Sequence, residues 1–520
     1  MSGGLFTSPE RWPAGLLLLA ALVAPLVTSC ATRAGLVEQA RNGTFSAEGL
    51  YEPRVVEYDN GLTLVAKQRP GIRTVSVRVN VGVGSAHYEC GQTHVPHFLE
   101  HMLFGSVPGL TEAELEREFF ELGAYSNAYT ATLQTVYELD VFSGTAMEGL
   151  DLMAKMLHRA ELQPDSFDAT QQIIWREMGG EPGPVQIQTL PGGKLASGLT
   201  EAVAELSPRY FRTCEEWDAG QDVEFESVRR AYEDYYVPQN MTWIVVGDFD
   251  EDRLLGWAER RLKPVARGDA EPPTAPDVSE FQQQEYSGLA EEPGVSLLVK
   301  TNGYTGDGYY ARAFISHLLD EQLYKRLRLD NALTYTPYST SWNLSDWGMF
   351  GIMVESEEDD HDEALRIIDE IVDVLVSAPL DADEFRIVQR SLLRQWAQGV
   401  EMNADYAQHY VNSLFELRRH GKFTNDEVKV AELTPERVHE VARRMFAPGR
   451  TVIVRDGDRQ QRIDAKAGPD RRSAFAPASA ASPQTPACVI ARSSLCRCVF
   501  AAGERAHDWL AVTACGWMSA

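Results

Sequence analysis

Three things are scarce in this chain, and each scarcity removes a class of protein. There are seven cysteines in 520 residues, too few and too scattered for a disulfide framework. Four of them, Cys488, Cys496, Cys498 and Cys515, fall in the last stretch, where Cys496-x-Cys498 lacks the spacing of a zinc ribbon. Cys90 and Cys214 stand alone and read as small buried hydrophobes, with a bond between them open in an oxidising compartment. Positive charge is short: 48 Lys and Arg against 76 Asp and Glu give a net charge of −28. That excludes the basic footprint of a nucleic-acid binder and suits a solvated acidic surface, able at most to steer basic peptides. Long apolar runs are missing beyond the N-terminus, so no later segment is expected to span a membrane. The rest is ordinary for a globular chain, 44% hydrophobic and 9% aromatic, and the length predicts two or more domains.

The N-terminus predicts export. Arg11 precedes an apolar run from Ala14 to Val27, too short to span a bilayer and of the right length for a signal h-region. It ends in Val27-Thr28-Ser29-Cys30, which resembles a bacterial lipoprotein box. That resemblance implies cleavage before Cys30, lipidation of its thiol, and sorting to the outer membrane of a Gram-negative cell.

The densest chemistry lies in His94-Val-Pro-His-Phe-Leu-Glu-His-Met-Leu-Phe104. Phe98, Leu99, Met102 and Leu103 recur at helical spacing. His97 and His101, four residues apart, then share one face and can bind one zinc ion. Glu100 sits one residue before the second histidine, placed as general base on a zinc-bound water. This is the inverted zincin order. Pro96 suits a first helical turn, and His94 reads as solvent-facing. A catalytic zinc takes a third protein ligand. Glu177 qualifies, on a helix predicted over 164–181 whose Ile173, Ile174 and Glu177 share a face. A carboxylate turned to a buried side needs a partner or a metal.

His-x-x-Glu-His followed, after 75 residues, by Glu177 resembles the pitrilysin/insulinase metallopeptidases, in particular the short two-domain bacterial type similar to mitochondrial processing peptidase subunits. Gly84-Ser85, Glu89, Leu122-Gly123-Ala124-Tyr-Ser-Asn127-Ala128-Tyr-Thr130, Thr135, Tyr137, Val246-Gly247-Asp248 and the Arg328/Tyr335 pair match in order, over about residues 46–457. The resemblance implies one Zn2+ per chain, held by His97, His101 and Glu177, with Glu100 as general base. It implies that Arg328 and Tyr335 stabilise the tetrahedral oxyanion. It implies that the strand around Asn127 and Ala128 pairs with an extended substrate. It implies an α+β architecture of two homologous α/β-sandwich-like domains, each a sheet covered by helices, forming half of a clamshell chamber. There are departures. Thr170 stands where the family has a second glutamate, seven residues before the ligand glutamate, and such acids tune the metal. Leu133 replaces an acidic residue, and His94 and Pro96 replace a glycine and an alanine.

The expected organisation is a signal peptide over 1–30, a tether over 31–45, a zinc-binding peptidase domain over 46–264, a linker over 265–290 rich in Pro, Ala, Glu and Gln, a second domain over 291–458 carrying Arg328 and Tyr335, and a disordered tail over 459–520. Asp59-Asn60-Gly61 predicts a hairpin, and Val75, Val77, Val79 and Val81 predict a strand. The second domain is expected to open with a strand near 295–300, followed by a helix ending near Arg328. A helix-aromatic-proline-strand pattern near 228–248 recurs 210 residues later, which suggests an internal duplication. The expected function is a zinc endopeptidase or oligopeptidase acting on extended or unfolded peptides in the periplasm. It would work as a homodimer, or as a heterodimer with a related subunit. The alternative is a non-catalytic partner subunit of the same family.

Overall fold

The computed structural model describes residues 52–180, 188–189, 192–206, 220–269, 280–304, 308–344, 347–423 and 426–467. The predicted signal peptide, Cys30, the tether to residue 45, Cys214 and the tail beyond 467 lie outside the described residues.

Strands β1 (Arg54–Glu57), β2 (Thr63–Gln68), β3 (Thr74–Val81), β4 (Tyr125–Thr130), β5 (Thr135–Phe142) and β6 (Met241–Gly247) form one sheet, in the order β1-β2-β6-β3-β5-β4. The hairpin at Asp59-Asn60-Gly61 forms as expected: Gly61 takes a left-handed φ of 89°, and Asn60 donates to the carbonyls of Leu262, Lys263 and Val265. One face of the sheet is covered by α1 (Val95–Phe104), α3 (Ala146–His158), α4 (Pro164–Glu177), α6 (Phe225–Tyr235) and α7 (Glu251–Arg261). The helix α2 (Glu112–Glu121) leads into β4 and is capped by a Thr111–Glu114 capping box. The alternation of Val75, Val77, Val79 and Val81 aims four valines at this core.

β7 (Glu285–Ala290), β8 (Gly294–Thr301), β9 (Tyr338–Asn343), β10 (Gly348–Glu355) and β11 (Thr451–Asp458) form a second sheet, in the order β7-β11-β8-β10-β9. Apart from β1 the two orders correspond, and each sheet contains one parallel pair, β2 with β6 and β7 with β11. The repeat seen in the sequence is one of structure: Phe225–Tyr235 and Met241–Gly247 recur as Pro435–Met445 and Thr451–Asp458. The predicted linker is therefore too long. Residues 285–290 are a strand, because β11 needs a parallel partner on its far side from β8. The predicted tail also begins too early, since Arg459–Ala467 is helical.

The boundary between halves is not a clean cut. Helix α5 (Gly198–Leu206) comes from the first half but packs Ala202, Val203 and Leu206 against Tyr286, Leu298 and Val452 of the second sheet. Asp456 of β11 accepts from the Gly198 amide at 2.6 Å. Gly288 is required there, because a Cβ would stand 2.3 Å from the Gly198 nitrogen. After α8 (Tyr309–Leu323), α9 (His361–Ser377) and α10 (Ala382–Gln398) cover the other face of that sheet, the chain returns. Helices α11 (Asn403–Asn412) and α12 (Leu414–His420) lay Tyr406, Tyr410, Val411 and Leu414 on Val65, Val136, Ile244 and Val246 of the first sheet. Each sheet is thus closed on its second face by a helix from the other half. This explains why β3 is buried on both sides, with Arg78 neutralised by Glu138 and Asp140. No helix among the described residues is long and apolar enough to cross a membrane.

Candidate active site

Helices α1 and α4 pack through stacked rings of Phe98 and Phe167, with centroids 5.2 Å apart. That contact sets two histidines against one glutamate. His97 and His101, one turn apart on α1, bring their Nε2 atoms to 3.1 Å. Oε2 of Glu177, the last residue of α4, lies 3.5 Å from Nε2 of His97 and 3.4 Å from Nε2 of His101. A tetrahedral ion bound at about 2.0–2.1 Å needs donors about 3.3 Å apart, so the triangle fits zinc. Among the described residues this is the only group of three or more such donors close enough to share an ion. Helix α4 stops at Glu177, four residues before the predicted end, because Gly179 and Gly180 both take left-handed φ and turn the chain away. Ile174 is buried while Ile173 is partly exposed, and the Glu177 side chain is 47% exposed. The carboxylate therefore stands at the rim of the site, not on the buried side expected.

Charge separates the two imidazoles. Burial, with His101 and His94 nearby, holds His97 well below the ordinary histidine range. For His101 burial works against the charged form, but the hydrogen bond with Glu177 and the charges of Glu100 and Glu177 outweigh it, and its pKa is raised. Glu177 is lowered, first by its bond to His101. A neutral imidazole beside a carboxylate is the donor chemistry zinc takes.

Glu100 is 7% exposed. Its Oε2 accepts a 2.6 Å hydrogen bond from the Thr130 hydroxyl at the end of β4. Burial raises its pKa to about 6, against the lowering effect of that bond. Sequence reasoning gave Thr130 no role, and its contact becomes visible only once β4 is known to end beside α1. Asn127 and Ala128 lie on β4, an edge strand whose only partner among the described residues is β5. Ala128 faces the inner core, while Asn127 is exposed.

Arg328 and Tyr335 form a separate unit. Arg328 lies in a π-helical stretch, Tyr324–Leu329. It donates to the Tyr335 carbonyl at 2.9 Å and stacks its guanidinium 3.9 Å from the Tyr335 ring centre. Tyr335 is 75% exposed. No hydrogen bond, ion pair or ring contact joins either residue to His97, Glu100, His101 or Glu177. Two smaller expectations are corrected. His94 is buried, its ring 5.9 Å from that of His97, because it begins a helix packed under Gly220. Cys90 is not a small buried hydrophobe: it is exposed and disulfide-bonded. Thr170, two turns before Glu177 on the same stripe of α4, is buried. Nδ1 of His97 is buried without a hydrogen-bond partner among the described residues.

Known proteins resemble this chain over both halves. The family model of the insulinase (peptidase family M16) domain matches residues 63–180, and that of the peptidase M16 inactive domain matches residues 222–392. An uncharacterized zinc protease of Mycobacterium leprae is 22% identical over 406 residues, covering 74% of this chain and 87% of its own. A protease of Helicobacter pylori superimposes with a TM-score of 0.66 at 18% identity, covering 78% of this chain and 99% of its own. The first half of the periplasmic protease PqqL of Escherichia coli superimposes with a TM-score of 0.64 at 16% identity, covering 80% of this chain and 93% of its own.

Proposed function

The chain belongs to the insulinase (M16) peptidase family, and from that premise we propose that it is a zinc-dependent endopeptidase or oligopeptidase cutting extended or unfolded peptides. The observation that carries this reading is the triangle of donors on His97, His101 and Glu177, with buried Glu100 beside it. Zinc in that triangle supplies Lewis acidity toward a peptide carbonyl and toward water. Glu100 takes the proton of the attacking water and passes it to the leaving amine. A carboxylate with a pKa near 6 is ionised at neutral pH yet basic enough for this exchange. Thr130 fixes the carboxylate by its hydroxyl, and the outer edge of β4, through Asn127 and Ala128, holds the substrate backbone as an added strand.

Arg328 and Tyr335 supply donors to the tetrahedral oxygen. Because they make no contact with the metal set of their own chain, a second copy of the chain supplies them, and the active form is a homodimer. The disulfide at Cys90 suits an oxidising compartment, in keeping with export to the periplasm and attachment through lipidated Cys30. The competing reading, a non-catalytic partner subunit, draws on Thr170 and on the unpartnered Nδ1 of His97, since metal-binding histidines ordinarily donate through the other nitrogen.

The test is cleavage of an unstructured peptide by the parent, by Glu100→Gln, and by an equal mixture of Glu100→Gln and Arg328→Ala chains. The parent cleaves, Glu100→Gln loses at least about a hundredfold in kcat, and the mixture recovers part of the activity. A zinc-loaded parent that cuts nothing supports the partner-subunit reading. An active parent whose mixed variants recover nothing removes the two-copy site.

A further inference from the structure

We infer that Tyr125 and Phe142, at the far end of the edge strand β4, form a distal subsite for a bulky apolar side chain of the bound peptide. It would hold that residue about five positions from the cleaved bond, counting an extended strand at ~3.3 Å per residue. This rests on the peptidase reading above and names the substrate class it favours.

The strand has two differently marked ends. Thr130, at one end, touches Glu100, so a peptide paired there lies beside the base. Tyr125, at the other end, is 57% exposed, and Phe142 on the neighbouring strand is 59% exposed. Register places both on one face. Tyr125 is opposite Asp140 and Asn127 is opposite Glu138, and opposite residues point the same way. Phe142, two residues beyond Asp140, joins that face. The other face carries Tyr137, Leu139 and Val141 into the inner core. Helix α11 covers the outer face near Tyr129, whose hydroxyl accepts from Gln408, while Tyr125 and Phe142 each keep more than half of their surface exposed.

Gly123 is part of the construction. It takes φ 66°, and a Cβ there would stand 2.9 Å from the Phe142 ring, so glycine lets that ring lie against the entry of β4. An aromatic patch at Tyr125 and Phe142, exposed beside a strand edge with no further partner among the described residues, is an aggregation liability. Its continuity with that edge commits the occupant: the side chain of a peptide strand added to β4. Added strands point alternate side chains to each face, so every second residue of the peptide shares the face of Tyr125 and Phe142, and the one at the Tyr125 end of β4 lies beside them.

The test uses the full chain and a set of unstructured peptides, each with one fixed cleavable bond and a single phenylalanine placed at successive positions on either side. In the parent, KM falls about tenfold when the phenylalanine reaches about five residues from the bond on one side, with kcat unchanged. In Tyr125→Ser/Phe142→Ser that preference disappears, Tyr125→Phe keeps it, and peptides ending before that position are cut equally by all three. KM that does not respond to the phenylalanine position in the parent, or a preference that survives the double substitution, overturns the subsite. A parent that cuts none of the peptides also overturns it, and shows separately that the peptidase reading has failed.

Discussion

At the scale of the residue, the chemistry turns on donors that few single changes can replace. Glu100 is buried and would be poorly oriented without its hydroxyl partner, so Thr130 is a positioning residue. Thr130→Val keeps the volume and removes the donor. It is expected to lower kcat by about tenfold, the worth of a hydrogen bond to a charged group of ~1.5 kcal/mol. Zinc content should stay at the parent level, and Thr130→Ser should restore the rate. Steady-state kinetics beside metal analysis checks this, and an unchanged kcat in the valine variant removes the role. The sequence exposed the histidines and Glu100 because their spacing on one helix is fixed by helical geometry. Thr130 and the burial of His94 were hidden because they depend on strands and loops that approach α1 from elsewhere in the chain.

At the scale of the element, the second half ties its helix to its edge strand with a carboxylate. Asp320 on α8 accepts from the Ser339 amide at 2.6 Å and from its hydroxyl at 2.8 Å, at the start of β9. Burial raises its pKa from 3.8 to about 6, with the Ser339 bonds pulling the other way. The folded chain therefore holds this proton more tightly than the unfolded chain does. The contribution is fully present below the unfolded value and is lost as pH rises through about 6. Asp320→Asn keeps an acceptor and cannot titrate. Relative to the parent it should gain up to about 3 kcal/mol between pH 4 and 7, seen as a thermal midpoint that overtakes the parent's as pH rises. Midpoints that stay parallel across that range contradict it. Element types were largely legible: the hairpin at Gly61, the valine strand β3 and the helix-strand repeat follow from turn chemistry and periodicity. What failed were ends and edges. β7 lay hidden in a stretch whose Pro, Glu and Gln content resembles a linker, and its strand identity comes from β11 beside it.

At the scale of the whole molecule, the two halves are interlocked. Tyr410 and its neighbours close the first sheet, and Leu206 and its neighbours close the second. Neither half buries both faces of its own sheet, so hinge motion between the halves is not expected. Local sequence patterning carries no trace of this exchange, because an apolar helix face looks the same whichever sheet it covers. Within that frame the proposed chemistry depends on one zinc ion at His97, His101 and Glu177. The most direct measurement is the zinc content of the purified full chain by native mass spectrometry, for the parent and for Glu177→Gln. One zinc per parent chain is expected, and a variant that loses most of it at equal zinc supply, since ligand changes weaken such sites strongly. A parent that binds none, or a variant that holds zinc as tightly as the parent, would contradict it.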